Sequence, residues 1–193
     1  MKISYTDNYT NKAKSAFKNE FKTKNDLSIP RITKVCVNSG IGRILTTNES
    51  NSDNLIKDFN DKLARITGQK PKVCKAKKSI SGFKLREGSI IGLNVTLRGK
   101  KMADFIDKII NIVFPRTRDF WGIDRKNFDK NGNLTIGIRE MTAFPELSLD
   151  IIKVNFGVEI TFVTNTDSKE KSIKLFEELG FPLKPIPSTK KSN

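Results

Sequence analysis

The sequence predicts an α+β fold, in which helices pack on one face of a mostly antiparallel sheet and leave its other face open and polar. Three observations indicate this fold. Four or five segments alternate apolar and polar residues, as half-buried strands do, and helical segments with one apolar face lie between them. The 193 residues, 36% of them hydrophobic, are enough to build one core. We therefore expect a single domain over residues 1–184, followed by a disordered basic tail over residues 185–193.

The first half of the chain is predicted to contain two helices and three strands. Apolar residues at helical spacing predict helices over residues 8–23 and 51–66, and Gly68 is placed to end the second. Strands are predicted over residues 31–38, with Val35 and Val37 buried, over residues 70–74 and over residues 91–98. In the last strand the apolar side of the alternation consists of Ile91, Leu93, Val95 and Leu97.

The second half continues this mixture of helices and strands. A helix over residues 102–113 is expected to end at Pro115, and an irregular loop is expected over residues 115–132. Strands are predicted around residues 134–138 and 158–162. A last helix over residues 168–179 is expected to have Thr166 or Asp167 as its cap and Gly180 as its stop.

Polar residues of these strands are expected on the open side of the sheet. Six side chains could meet there: Thr33, Asn38, Asn94, Thr96, Thr135 and Arg139. Neutral donors and acceptors beside cationic groups suit RNA, because its 2′-hydroxyls and unstacked bases require hydrogen bonds as well as charge.

Most of the net charge lies in one segment, residues 62–101. This segment contains twelve Lys and Arg and one acid, Glu87, so it holds +11 of the chain's +15, while the flanking parts are close to neutral. A nearly neutral protein with one cationic segment is expected to dock a polyanion there. Such a segment predicts salt-sensitive nucleic-acid binding, because neutralised phosphates release their counterions.

The centre of that segment is a loop rich in Lys, Ser and Gly over residues 75–88, called the basic loop below, with Phe83 at its tip. Its cations can bind phosphates, its serines can donate hydrogen bonds to phosphate oxygens, and Phe83 can stack on a base. The alternative is a solvated loop whose Phe83 packs back into the core. The contrast in charge with the rest of the chain favours RNA binding.

The composition argues against catalysis. The chain has no histidine, which removes the commonest general base, the usual nucleophile systems and nearly all zinc sites. Asp124, Asp129 and Glu140 would bind Mg²⁺ only if the fold clustered them, and scattered acids are far more often surface residues. Cys36 and Cys74 form no CxxC pair and are expected to be free thiols in a reducing compartment. We expect no enzyme activity, no cofactor and no metal site.

Two short motifs have competing interpretations. Gly40-Ile41-Gly42 after a strand resembles part of a dinucleotide-binding fingerprint, but Leu45 stands where the third glycine belongs, so a turn that ends the strand is favoured. In residues 116–122, Trp121 stands beside two arginines. That loop either contacts a partner or is anchored to the core by Phe120 and Trp121, with Asp119 paired to an arginine.

Taken in order, many blocks of the chain resemble those of one known family. The blocks are Ile29-Pro30-Arg31-Ile32, Val37-Asn38-Ser39-Gly40-Ile41-Gly42, Thr67-Gly68-Gln69-Lys70-Pro71, residues 75–88, Gly92 with Val95-Thr96-Leu97-Arg98-Gly99, Pro115-Arg116 with Arg118-Asp119-Phe120, Phe128-Asp129 with Gly132-Asn133, Phe144-Pro145-Glu146, Gly157-Val158-Glu159-Ile160-Thr161 and Gly180-Phe181-Pro182. Together, over residues 5–184, they resemble the bacterial-type large-subunit ribosomal protein five family.

This resemblance implies a structural protein that binds 5S rRNA in the central protuberance of the ribosome. It implies that the contacts to 5S rRNA are made by Asn38, Gln69, Thr96 and Arg98. It also implies that the basic loop reaches toward the P-site tRNA, through Lys75, Lys77, Lys78, Ser79, Phe83, Lys84 and Arg86. Residues 115–120 and 143–150 would bridge to a small-subunit head protein. Large-subunit rRNA and neighbouring central-protuberance proteins are further expected partners.

The chain departs from the family pattern at two places. Ser39 stands where the family usually has Met, which could loosen the packing under the first strand. Residues 148–156 lack the Tyr and Arg often found there, which bears on the bridge assignment.

Other classes of function stay open at this point. A generic RNA-binding or RNA-modifying protein outside the ribosome would share the cationic segment, and an enzyme of this kind would need clustered carboxylates. A membrane-surface protein would need a basic amphipathic helix, whereas the basic segment here is a loop and a strand. No apolar run approaches the roughly 20 residues of a membrane span, and we recognise no secretory or transit signal. The expected location is the ribosome, in the cytoplasm or in an organelle matrix.

Overall fold

A computed structural model describes residues 4–21, 25–47, 52–83, 85–147 and 156–185 of the protein. Five strands form one sheet: β1 (Ile32–Gly40), β2 (Lys72–Lys75), β3 (Ile90–Leu97), β4 (Leu134–Ile138) and β5 (Val158–Thr164). Their order across the sheet is β2-β3-β1-β5-β4, and every neighbouring pair is antiparallel. The predicted α+β fold is confirmed, and β1 is its central strand.

The helices precede, separate and follow these strands. They are α1 (Tyr5–Asn8), which continues through a π-helical turn (Tyr9–Ala13) into α2 (Lys14–Glu20), then α3 (Gly42–Thr47), α4 (Ser52–Thr67), α5 (Gly99–Lys108), which continues through a second π-helical turn (Ile109–Val113) into α6 (Phe114–Arg116), and α7 (Lys169–Leu179). In the described parts of the chain, no helix is both long and apolar enough to span a bilayer.

The core lies between the helices and the inner face of the sheet. Val35 pairs with Leu97 on one side and Phe162 on the other, and all three side chains are fully buried. Phe162, Phe176 and Phe181 pack edge to face there, with ring centroids 4.8–6.0 Å apart. Each such side chain contributes about 1.5–3 kcal/mol through burial, which is why the inner face of each strand is specified so clearly by its sequence.

Three details of the predicted elements are wrong. The helix that begins at Gly99 passes Pro115 and ends at Arg116, because Pro115 lies in the first turn of α6, where its missing N–H is tolerated. Ile91 is 36% exposed, because it lies at the start of β3, at the margin of the core. The cap of α7 is Ser168, which has extended backbone angles, while Gly180 ends the helix in the left-handed conformation as predicted.

Candidate RNA-binding surfaces

The outer face of the sheet carries exposed and partly exposed side chains, and the described helices pack on its other side. Strand register places Cys36 between Thr96 and Thr161, and Asn38 between Asn94 and Glu159. These side chains alternate with the buried apolar residues of the same strands, so they project from the opposite side, which we call the open face. The open face is therefore lined mostly by polar side chains.

Four of the six residues expected on the open face occupy it. Asn38, Asn94 and Thr96 do so by register, and Thr135 lies opposite Thr161 with their hydroxyl oxygens 3.1 Å apart. Thr33 lies instead at a β-bulge, where its hydroxyl donates to the Val163 carbonyl at 3.1 Å. Arg139 is exposed but follows the end of β4, so it lies at the margin of the open face.

Gln69 is held against the free edge of β3 by the way α4 ends. Gly68 adopts φ +65°, which turns the chain out of the helix, and the Thr67 hydroxyl lies 3.0 Å from the Gln69 carbonyl oxygen. The Gln69 amide nitrogen then donates to the backbone oxygen of Thr96 at 3.3 Å. That oxygen is accessible because β2 pairs with β3 only as far as Asn94. Gln69 and Thr96 therefore lie in contact.

Arg98 follows directly after β3 and is exposed at the residue that precedes α5. Two other cations stabilise the end of α4 close by. Lys101 donates from Nζ to the Gly68 carbonyl at 3.0 Å, and Lys108 donates to the Ile66 carbonyl at 2.6 Å. These contacts place positive charge at a helix C-terminus, where it is favourable.

Most cations of residues 62–101 are available to a polyanion. Lys62 is the exception, because its side chain is buried and its Nζ lies 2.5 Å from an Asp58 carboxylate oxygen. The exposed cations in the described part of this segment form no salt bridge with any described residue; they are Arg65, Lys70, Lys72, Lys75, Lys77, Lys78, Arg86, Arg98, Lys100 and Lys101. The concentration of charge in the sequence therefore becomes a concentration of charge on the surface.

The basic loop connects β2 to β3 and is folded on itself. The Ile80 N–H donates to the Leu85 carbonyl at 2.9 Å, and the Ser79 hydroxyl oxygen accepts from the Glu87 N–H at 2.9 Å. Phe83 is 76% exposed, so the interpretation that it packs into the core is wrong. Lys84 lies outside the described residues. A cleft of about 880 Å³ separates this loop from α3 and α4, and its lining includes Ser79, Ser81 and Arg86.

The loop that follows α6 is anchored to the core by Phe120 but not by Trp121. Phe120 stacks on Phe114 with centroids 4.7 Å apart and an interplanar angle of 6°, which anchors the loop. Trp121 is 84% exposed, so it takes no part in that anchoring. Asp119 has φ +51° and is not in a salt bridge with any described arginine, which makes its expected pairing wrong.

Each of the three acids weighed as a magnesium site accepts a hydrogen bond from a residue close in sequence, Glu140 from the Thr142 hydroxyl at 3.4 Å. Asp124 accepts from the Lys126 N–H at 3.0 Å, a contact that lowers the pKa of its carboxyl. Asp129 accepts from the Asn133 N–H at 2.7 Å and from its side-chain amide at 2.8 Å. Within the described ranges, no group of three or more potential metal ligands occurs.

One of the two departures from the family pattern and one motif can be placed. Ser39 is buried, and its hydroxyl donates to the Gly157 carbonyl at 2.9 Å. This hydrogen bond is formed at the residue where looser packing under the first strand was expected. Gly40-Ile41-Gly42 joins β1 to α3 as the favoured turn, in a sheet whose antiparallel order excludes a dinucleotide-binding βαβ unit. Residues 148–155 lie outside the described residues, as do residues 186–193 of the predicted tail.

Sequence reasoning missed several residues of the open face, among them Cys36, Lys72, Glu159 and Thr161. Glu159 and Thr161 alternate with the buried Val158, Ile160 and Phe162, and this alternation alone would have identified them. Lys72 shares the same face opposite Asn94.

Comparison with known proteins covers nearly the whole chain. The family model described as "Ribosomal protein L5" matches residues 25–86, and a second model, for the C-terminus of the same ribosomal family, matches residues 90–183. The large ribosomal subunit protein uL5 of Heliobacterium modesticaldum is 46% identical over 170 residues, which cover 88% of this chain and 92% of that relative. Proteins of the same name from Limosilactobacillus reuteri and Carboxydothermus hydrogenoformans are each 42% identical, over 90% and 91% of this chain and 94% and 96% of theirs.

Proposed function

The chain belongs to the ribosomal L5 family, and from this premise we propose that its open face binds 5S rRNA. As a member of the family it is a structural protein of the large ribosomal subunit, part of a ribonucleoprotein particle, and not an enzyme. The proposed contacts are Asn38, Gln69, Thr96 and Arg98. The observation that carries the proposal is a polar sheet face, on the side away from the described helices, that adjoins a surface of unpaired cations.

The chemistry of these residues divides into two kinds. Asn38 and Thr96 offer neutral donors and acceptors that fit 2′-hydroxyls and base edges, and Gln69 extends this row past the end of β2. Arg98 and the other exposed cations of residues 65–101 supply attraction to phosphates. The neutral groups would give specificity for 5S rRNA, and the cations would give affinity for RNA in general.

The basic loop is proposed to contact the P-site tRNA. Its exposed Lys75, Lys77, Lys78 and Arg86 can bind phosphates, and Lys84 is included from the family resemblance alone. The exposed ring of Phe83 stands free to stack on a nucleotide, with Ser79 nearby as a hydroxyl partner. The bridge between Ile80 and Leu85 closes the turn that carries Phe83, and the exposed cations Lys77, Lys78 and Arg86 lie just outside that turn.

Contacts to other ribosomal components are proposed for the C-terminal half. A bridge to a small-subunit head protein would use residues 115–120 and 143–150, of which residues 148–150 lie outside the described residues. Two features support the first of these loops: exposed Arg116 and Arg118, and the adjacent Trp121, a residue type enriched at protein interfaces. Large-subunit rRNA and neighbouring proteins of the central protuberance are the remaining proposed partners of what we take to be one domain, residues 1–184.

The test is a filter-binding titration of the purified protein against 5S rRNA and a scrambled RNA of equal length, each at two salt concentrations. A preference for 5S rRNA that survives the higher salt is the expected result, because hydrogen bonds from the open face do not depend on counterion release. Equal binding to both RNAs that is lost at higher salt would contradict the proposal and favour a generic RNA-binding protein.

A further inference from the structure

Glu159 is the only acid among the residues that the five strands place on the open face. It is exposed, and it lies directly opposite Asn38 on β1 and Gly137 on β4. Within the described residues its carboxylate takes part in no salt bridge or hydrogen bond, so it contributes no polar contact that stabilises the described fold. A carboxylate repels phosphates, and a surface that binds only an RNA backbone would be better without it.

Two glycines lie near Glu159 on the open face, one directly opposite it and one diagonal to it. Gly137 lies opposite it, and Gly40 lies two residues beyond Asn38 on the same outward side of β1. Neither glycine has a positive φ, and a Cβ added to either would have no described heavy atom within 4 Å. Gly92 differs, because a Cβ there would lie 2.8 Å from the Ser39 carbonyl oxygen. Close packing against β1 therefore explains why this residue is glycine.

Within the described residues, nothing conformational or steric therefore requires glycine at positions 40 and 137. Glycine weakens a strand, and in strand interiors it often marks a place where a ligand approaches the backbone closely. Here Gly137 lies opposite Glu159 and Gly40 lies diagonal to it, on a face proposed to bind RNA, and the Glu159 carboxylate has no partner among the described residues. The arrangement leaves room for a flat group to lie on the backbone with its edge against Glu159.

We infer that this part of the open face binds an unpaired guanine, whose Watson–Crick edge donates to Glu159. Guanine is the base that presents two adjacent donors, N1–H and the N2 amino group, and these match the two oxygens of a carboxylate. Uracil presents one donor between two acceptors, and adenine and cytosine present an amino group beside a ring acceptor. Asn38, next to Glu159, can contact the neighbouring edge of the base or its ribose.

This inference rests on the proposed binding of 5S rRNA, and one set of variants tests both. Glu159→Gln exchanges an acceptor for a donor at nearly constant shape, while Glu170→Gln removes the same charge from an exposed position on α7, in the helical layer. Gly40→Ala and Gly137→Ala fill the space above the backbone. Each is titrated against 5S rRNA and the scrambled RNA, its melting temperature is measured, and bound 5S rRNA is probed with kethoxal, which reacts at N1 and N2 of unpaired guanine.

The expected result is a loss of about tenfold or more in 5S rRNA affinity for Glu159→Gln, with binding to the scrambled RNA unchanged. One guanine that wild-type protein protects from kethoxal becomes reactive in the complex of Glu159→Gln and stays protected in that of Glu170→Gln. The two alanine variants weaken 5S rRNA binding while their melting temperatures stay equal to or above that of the wild type.

Three outcomes would overturn the inference, and they are distinguishable. Tighter binding of Glu159→Gln to both RNAs would show that the carboxylate only repels phosphates. A wild-type preference for 5S rRNA that none of these variants changes would place the recognised bases elsewhere and leave the proposed function standing. If the wild-type protein shows no preference for 5S rRNA, the proposed function itself fails and this inference fails with it.

Discussion

Replacing Asn38 with Ala separates recognition of 5S rRNA from general attraction to RNA. The Asn38 side chain is exposed on the central strand and forms no hydrogen bond with any described residue, so its loss removes no bond within the fold. Its amide can make about two hydrogen bonds to RNA, which are worth about 1–3 kcal/mol together. We therefore expect 5S rRNA affinity to fall by about five- to 150-fold.

The matched variant is Lys78→Gln, which removes an exposed cation of the basic loop that is in no salt bridge with described residues. If Lys78 contacts a phosphate, its loss reduces the slope of log affinity against log salt by roughly one unit, whereas Asn38→Ala leaves the slope unchanged. Filter binding at four or more salt concentrations measures both slopes. Equal changes of slope for the two variants would refute the division between a neutral recognition face and a cationic docking surface.

Three further substitutions have distinct expected outcomes. Ser39→Ala removes the buried hydrogen bond to the Gly157 carbonyl and should lower the free energy of unfolding by about 1–3 kcal/mol in urea denaturation; no change would mean that this bond does not support β1. Phe83→Ala should change stability by less than about 0.5 kcal/mol, since the ring is exposed, but should weaken crosslinking of the large subunit to P-site tRNA; unaltered crosslinking would remove the ring from that contact. Trp121→Ala should also leave stability unchanged and slow the association of large with small subunits in light scattering, and normal association would exclude Trp121 from the bridge.

The sheet could be predicted because each strand has one apolar face. In β3 the alternation of Leu93, Val95 and Leu97 with polar residues specifies the buried side, whatever the neighbouring strands are. The end of the helix at Pro115 was harder to predict. The π-helical turn before it brings Pro115 into the first turn of a new helical segment, and nothing in the local sequence marks that turn.

The candidate site could be predicted only in part, for a related reason. Asn38 and Thr96 follow from the alternation of their own strands. The position of Gln69 depends on a hydrogen bond to Thr96, 27 residues away, and only the fold brings these residues together. Lys62 is one of the twelve cations of residues 62–101 that the sequence predicts to attract a polyanion. In the structure it lies on the inner side of α4, where it is buried and paired with Asp58. Counting charges cannot distinguish such a lysine from an exposed one.

The most direct test of the open face uses a cysteine that the protein already has. Cys36 is partly exposed on β1 between Thr96 and Thr161, so RNA bound to the open face would cover its thiol. In a Cys74→Ser variant, the rate of Cys36 alkylation by N-ethylmaleimide is measured alone, with saturating 5S rRNA and with scrambled RNA. A control with both native cysteines replaced by serine and Ile112→Cys reports an exposed position on the helical layer.

We predict that 5S rRNA slows alkylation of Cys36 several-fold, that scrambled RNA does not, and that the thiol at position 112 reacts equally in all three conditions. Alkylation of Cys36 at the same rate with and without saturating 5S rRNA would contradict binding through the open face.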